Sequence, residues 1–187
     1  MLWYLFKTWV GREKELVRMI RRTVPPEMYQ ECFVIEQERI WRKQQRSIVH
    51  MELLFPGCVF FTCKEKRFPH SFLEYLERIP DVAQWTSCGV LTIFPMMRED
   101  AEFLTGISGA DHVVRLSSVK KDPDGRICRI SDPLASCMGQ IVRYQFKKRY
   151  AMVRRRLWGE EQAIVLGIML EEDGERKCLV TTNGHTC

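Results

Sequence analysis

The stretch GQIVRYQFKKRYAMVRRRLW, residues 139–158, carries seven basic side chains and no acid. Arg143, Lys147, Lys148, Arg149, Arg154, Arg155 and Arg156 are the residues whose types and spacing best suit a chemistry, and that chemistry is non-covalent. A guanidinium offers a rigid fork of N–H groups matched to two phosphate oxygens, and an ammonium supplies a compact point charge. The whole chain has 29 Lys and Arg against 24 Asp and Glu. Without these seven, 22 bases would face 24 acids, so the positive excess belongs to one local feature. Such a segment in an otherwise balanced protein points to a specific anionic partner. The plainer alternative stays open, because basic turns between strands are commonly just solvated and edge lysines guard against aggregation.

Little else in the sequence could do chemistry. It has no G-x-x-x-x-G-K-[ST] phosphate loop, no G-x-S-x-G and no H-E-x-x-H. His50, His70, His112 and His185 stand in separate segments without metal-ligand spacing to cysteine. No enzyme, no metal and no cofactor are expected. The eight cysteines include no C-x-x-C pair, and Cys58 and Cys63 would face opposite ways on one strand. They read as small apolar residues in a reducing cytoplasm. The opening MLWYLF is interrupted by Lys7 before it could form a signal peptide, and no run of about 18 apolar residues is present. A cytoplasmic, membrane-independent protein is expected.

The elements that must position the basic stretch follow from periodicity. A buried strand is predicted over 2–8 and an amphipathic helix over 12–23, with Leu16, Met19 and Ile20 on one face; Pro25-Pro26 stops it. Strands are predicted over 32–42 and 47–54, joined by the polar tract 43–46. In LLFPGCVFF, Pro56-Gly57 marks a turn between two apolar runs. A helix over 68–79, strand material over 82–94 and a last helix over 97–105 complete an α+β domain, 1–106. Residues 107–126, rich in Gly, Ser, Asp and Lys and containing DPDG, read as a linker. Beyond them only strand patterns remain, over 127–130, 140–146, 150–157 and 163–169, and their spacing predicts a small barrel over 127–172. Residues 173–187 read as a flexible tail.

Strand alternation assigns faces within the basic hairpin. Val142, Tyr144 and Phe146 share one face of the first strand, with Arg143 and Gln145 on the other. Ala151, Val153 and Leu157 form the apolar set of the second strand. Tyr150, Met152, Arg154, Arg156 and Trp158 form its outer set, guanidiniums with an aromatic at each end, able to hold phosphates and stack on bases. Arg155 shares parity with the apolar set and is expected to snorkel to the barrel's end.

WYLFKTWVGREKE at the start, followed by LLFPGCVFF, resembles the N-terminal domain of the NusG family of transcription elongation factors. DPLASCMGQIVRYQFKKRYAMVRRRLWG resembles that family's C-terminal KOW domain, with Gly139 followed by alternating apolar residues and then Trp158-Gly159. Order and spacing agree over about 170 residues. The resemblance implies an antiparallel sheet with flanking helices, followed by a small SH3-like KOW barrel. It also implies docking on the clamp helices of the largest subunit of bacterial RNA polymerase. The matching positions are Phe55 and Pro56, with Trp3 and Tyr4 as support or lining, and Cys58 where relatives usually carry tyrosine. His70-Ser71 stands about where some specialised relatives touch the second large subunit. Aromatics such as Trp3, Tyr4, Phe60 and Phe61 are more often core than contact, and Phe55 divides evenly between the two.

Asp132 and Ser136 replace glycines usual in the family. With the basic hairpin, these departures resemble the specialised LoaP group, which implies recognition of a structured element, such as a hairpin, in leader RNA. The strands lack helical periodicity, so the fold switching of the RfaH branch is not implied. The alternative within the family is a general elongation factor whose KOW domain is a protein adaptor for a termination factor or the ribosome. A monomer is expected.

Overall fold

The computed structural model describes residues 1–43, 46–63, 72, 74–76, 78–79, 92–174 and 179–180. It is an α+β structure with several sheets and few helices, divided into two units: Met1–Ile35 with Phe55–Phe103, and Glu36–Leu54 with Leu104–Cys187. Among the described residues no helix is long and apolar enough to cross a membrane.

The first unit is built on a sheet of β1 (Leu2–Lys7), β2 (Glu31–Phe33), β5 (Cys58–Cys63) and β6 (Thr92–Pro95), in the order β2-β5-β1-β6. Every neighbouring pair in it is antiparallel. Helix α1 (Glu13–Thr23) covers one face with Leu16, Val17, Met19 and Ile20. Glu13 and Glu15 lie in its first turn and Arg21 and Arg22 in its last, both favourable to the helix dipole. It ends where Val24 turns extended ahead of Pro25. Tyr4, Phe6, Val59, Phe61 and Phe72 meet it, with Phe6 and Phe72 stacked at 5.9 Å. Residues 74–76 are helical, and the Tyr75 hydroxyl donates to the Thr23 carbonyl at 3.0 Å.

The opposite parity of the same strands forms a second apolar layer. Trp3 packs edge-on against Phe33 and Phe60 (5.3 and 6.1 Å), and Phe55 meets Phe60 at 6.1 Å. This placement puts four of the expected polymerase contacts in the interior of the first unit. Trp3, Tyr4, Phe55 and Cys58 are all buried, because both faces of the sheet are apolar and consume them as core. Of that set only Pro56 is exposed. His70 and Ser71, most of the helix expected over 68–79 and most of the strand material expected over 82–94 lie outside the described residues.

The second unit holds two sheets. One runs β13-β4-β3-β7: β3 (Glu36–Lys43), β4 (Arg46–Leu53), β7 (Val113–Val114) and β13 (Leu179–Val180). The other, a curled five-stranded sheet, runs β10-β11-β12-β8-β9: β8 (Ser117–Lys121), β9 (Ile127–Ile130), β10 (Ile141–Gln145), β11 (Tyr150–Leu157) and β12 (Glu160–Leu170). Strand β12 changes partner along its length. It pairs antiparallel with β11 up to Gly167 and parallel with β8 from Ile168. Any Cβ on Gly167 would collide with the Glu38 carbonyl oxygen and the Leu116 side chain, so this close approach requires glycine. Helix α2 (Arg98–Ser108) carries Glu99 and Asp100 in its first turn, and the single turn α3 (Glu171–Gly174) follows β12.

Four expectations from sequence differ from the observed elements. The run 32–42 is two strands in different sheets, β2 and β3. The β3–β4 hairpin groups with the second unit, where Glu38 accepts from the Leu116 N–H (3.0 Å) and from Arg115 (2.9 Å). The stretch 107–126 is no linker throughout, because β8 within it alternates buried and exposed residues and joins the curled sheet. Ser117 is fully buried at a core-facing position, and its hydroxyl oxygen satisfies the Leu134 N–H at 2.9 Å. The tail expected from 173 does not begin there, since Asp173 is fully buried.

Asp173 meets Arg149, which is only 2% exposed. Arg149 Nε donates to Oδ2 at 2.5 Å and Nη2 to Oδ1 at 2.9 Å. The Leu170 N–H (2.9 Å) and the Ser47 hydroxyl (3.3 Å) donate to the same carboxylate. Burial acts to raise the Asp173 carboxyl, but the Arg149 hydrogen bonds, the Leu170 N–H, the guanidinium charge and Ser47 outweigh it. The carboxyl is held below its ordinary range.

Phe55→Ala is expected to lose stability by ~3–5 kcal/mol, the cost typical of truncating a large buried aromatic, read by denaturant melting. Asp173→Asn, which leaves buried Arg149 with only the exposed Glu172 carboxylate, is expected to cost ~3 kcal/mol at pH 7. Because the folded carboxyl sits below its unfolded value, its contribution is complete above about pH 3.9 and is lost as pH falls through the lower folded value. The stability gap between wild type and Asp173→Asn should therefore close on acidification, and a gap constant with pH would contradict this assignment.

Candidate nucleic-acid interface

The hairpin bearing the basic stretch is β10–β11, with a 3-10 turn at Phe146–Lys148 and Arg149 in the left-handed region at φ 55°. Strand β11 matches the alternation read from sequence: Ala151, Val153 and Leu157 are buried, and Arg154 and Arg156 are exposed. Strand β10 departs from it. Its register shifts between Ile141 and Arg143, so Ile141 pairs with Val153 while Arg143 pairs with Met152. The bulge turns Val142 outward, 47% exposed, beside exposed Arg143, although Tyr144 stays on the inner face opposite Ala151.

Of the seven bases, five are exposed: Arg143, Lys147, Lys148, Arg154 and Arg156. Neither Lys147 nor Lys148 has an ion-pair partner among the described residues. Arg154 lies 3.6 Å from the well-exposed Glu161 carboxylate, a pair screened by water and worth little. Arg156 donates to the Gly159 carbonyl at 3.0 Å, and the Arg143 guanidinium lies against the Gln145 side-chain amide. Arg149 leaves the expected set, because its hydrogen-bonding capacity is spent on Asp173, Glu172 and the Phe146 carbonyl. Arg155 is half-buried, consistent with its inward parity. Burial pushes the Cys137 thiol's pKa up, with a Ser136 hydrogen bond and the Arg155 charge acting against the rise.

The aromatics expected to stack on bases are partly engaged. The Arg39 guanidinium lies 5.4 Å from the Tyr150 ring centroid. Tyr144 and Phe146 stack on each other at 5.5 Å and an interplanar angle of 5°, and the Lys121 ammonium sits 3.3 Å above Phe146. Lys121, Arg42 and Lys147 line a groove near that turn, which also contains Glu171 and Glu172, so its charge is mixed.

A second concavity lies at the far end of β11. It is an open pocket of about 640 Å³, with Gly139, Gln140, Ile141 and Val142 on one side and Arg154, Arg155, Arg156 and Glu161 on the other. The sequence reading singled out the three arginines but passed over Gln140 and Val142. Alternation places Val142 inside, and a bulge leaves no reliable mark in a single sequence. Lys121 was passed over because SSVKK, with a polar residue at its core position, does not read as a strand. Among the described residues no cluster of His, Cys, Asp and Glu could hold a metal, and none of the five cysteines there forms a disulfide.

On the first unit, the turn around Pro56 is held from within. The Gly57 N–H donates to buried Glu13 at 2.6 Å, and the Thr8 N–H donates to the Gly57 carbonyl at 2.9 Å. Gly57 has φ 77°, and a Cβ there would stand 3.1 Å from the Thr8 carbonyl oxygen. Val10, 73% exposed, and Trp9, 47% exposed, flank it. The turn therefore presents exposed Pro56 with the Val10 side chain close to Gly57. No protein-family model and no curated protein matches this chain.

Proposed function

We propose that this chain is a transcription elongation and antitermination factor of the NusG type. In this reading the N-terminal unit holds RNA polymerase and the basic hairpin holds structured RNA emerging from it, as in the LoaP group. The observation that carries the RNA half is five exposed bases on one hairpin of a chain that is otherwise near charge balance. A double helix of RNA is gripped mainly through phosphate, shape and 2′-hydroxyl contacts, which such a surface fits. An α+β unit followed by a curled sheet agrees with the expected N-terminal domain and KOW barrel without singling them out.

For the polymerase half, the support is the exposed turn: Pro56, with Val10 and Trp9 beside it. Phe55 and Cys58, both buried, bracket this turn, and the Cys58 N–H donates to the Phe55 carbonyl at 3.2 Å. The clamp helices are the proposed partner of this patch.

Binding of a hairpin RNA should weaken with salt. With about four side chains on phosphates, the log–log slope is expected to be roughly −3 to −4. Lys148→Ala and Arg154→Ala should each lower its magnitude by about one. In run-off transcription with purified bacterial polymerase across a leader hairpin and terminator, wild type should raise read-through and the double variant should not. Salt-insensitive binding, or normal antitermination by the double variant, would transfer the role to a protein adaptor function. Pro56→Asp should reduce polymerase binding with melting unchanged. Full binding by that variant would place the contact elsewhere.

A further inference from the structure

The groove at the turn of the β10–β11 hairpin draws its cations from three segments far apart in sequence. Arg42 comes from β3, Lys121 from the end of β8 and Lys147 from the turn itself, around a concavity of about 540 Å³. Neither Lys121 nor Lys147 has an ion-pair partner among the described residues. The Lys121 ammonium is held 3.3 Å above the Phe146 ring, a contact that fixes its place without cancelling its charge. Arg42 stands 4.0 Å from Glu172, at the outer limit of pairing, and Glu172 already accepts from the Arg149 guanidinium. Glu171 is answered by Lys120 at 2.9 Å. With those partners and buried Asp173 included, five bases meet three carboxylates here. Like charges gathered round one concavity repel one another, and an anion placed among them relieves that cost.

We infer that this groove carries the phosphate backbone of the bound RNA past the hairpin turn, so that the RNA surface spans both sheets of the second unit. Arg42 takes a phosphate with its planar fork and Lys121 takes one as a point charge. The occupant is a polyanion and not a lone phosphate, because the groove is continuous with the basic hairpin. Lys147 lines the groove and adjoins exposed Lys148, so one backbone reaches both without a break. The inference rests on the RNA-binding reading and extends it to two residues outside the stretch 139–158. Arg42 and Lys121 join that surface only through the fold, since a count of local charge picks out neither.

The test is a salt titration of the full chain on one synthetic RNA hairpin. Arg42→Ala and Lys121→Met should each lower the magnitude of the log–log slope by about one. Methionine keeps an apolar stem against Phe146 and removes only the charge. Arg42→Lys should restore the wild-type slope, which a loss of folding in Arg42→Ala would not predict. Arg18→Ala, which removes an exposed base from α1 of the first unit, should leave the slope unchanged. A full slope in either groove variant would overturn the groove, and with Lys148→Ala still lowering it the RNA reading would stand. An equal drop in Arg18→Ala would reduce the effect to net charge and overturn the groove as well. Salt-insensitive binding by wild type would remove the RNA reading and the groove with it.

Discussion

A charged side chain with almost no solvent contact imposes itself on everything around it, and in the second unit that side chain is Arg149. Burying a guanidinium alone is prohibitively costly, so the chain must bring a carboxylate to it. The carboxylate comes from Asp173, at the single helical turn that follows β12, and Ser47 of β4 donates to the same oxygens. Three segments far apart in sequence therefore meet at one ion pair. Buried pairs return in Coulomb energy about what desolvation costs them. Their contribution here is positional. The Arg149 carbonyl also accepts from the Ile168 N–H at 3.0 Å, close to the point where β12 passes from β11 to β8. Side chain and backbone of one residue thus fix the turn, the strand register and the partner exchange together.

In the first unit the constraint is steric. Strand β1 buries both its parities, Tyr4 and Phe6 towards α1 and Trp3 and Leu5 on the other face. Such a strand leaves no aromatic for outside contact. What reaches solvent is the turn at Pro56, whose backbone donors are satisfied internally at Glu13 and between Thr8 and Gly57. A surface patch of Pro56, Val10 and Trp9 is small, but a partner would lose little entropy in ordering it.

Much of this was legible in the sequence where alternation and punctuation are strong. Helix α1 appears with its apolar face and its stop at the Pro25-Pro26 pair, β11 appears with its buried parity, and the local charge excess is visible by counting. The failures have physical causes. Ser117 looks like linker because a hydroxyl satisfied by one backbone N–H can occupy a core position. Val142 looks buried because a bulge of one residue inverts parity without changing composition. Residues 32–42 look like one strand because no glycine or proline marks the change of sheet between Phe33 and Glu36. Arg149 looks like its neighbours because its partner lies 24 positions away, beyond any local pattern.

That last case shows why a basic run cannot be read as one surface. Arg149 and Lys148 are adjacent and equally charged, yet the left-handed φ of Arg149 turns its side chain inward while Lys148 stays in solvent. Neutralising Arg149 internally removes one charge from the outer face without thinning the rest, because the carboxylates that answer it sit at the turn of the hairpin and not along β11. At the other end, Arg155 shares the inward parity of Val153 and Leu157 but comes late enough in the strand to remain half-buried between Arg154 and Arg156. One hairpin therefore holds three kinds of basic residue: a structural one at the turn, a solvated set along its outer side, and one enclosed beside the apolar floor made by the Val142 bulge. Under the proposed reading, the solvated set supplies affinity for any RNA helix.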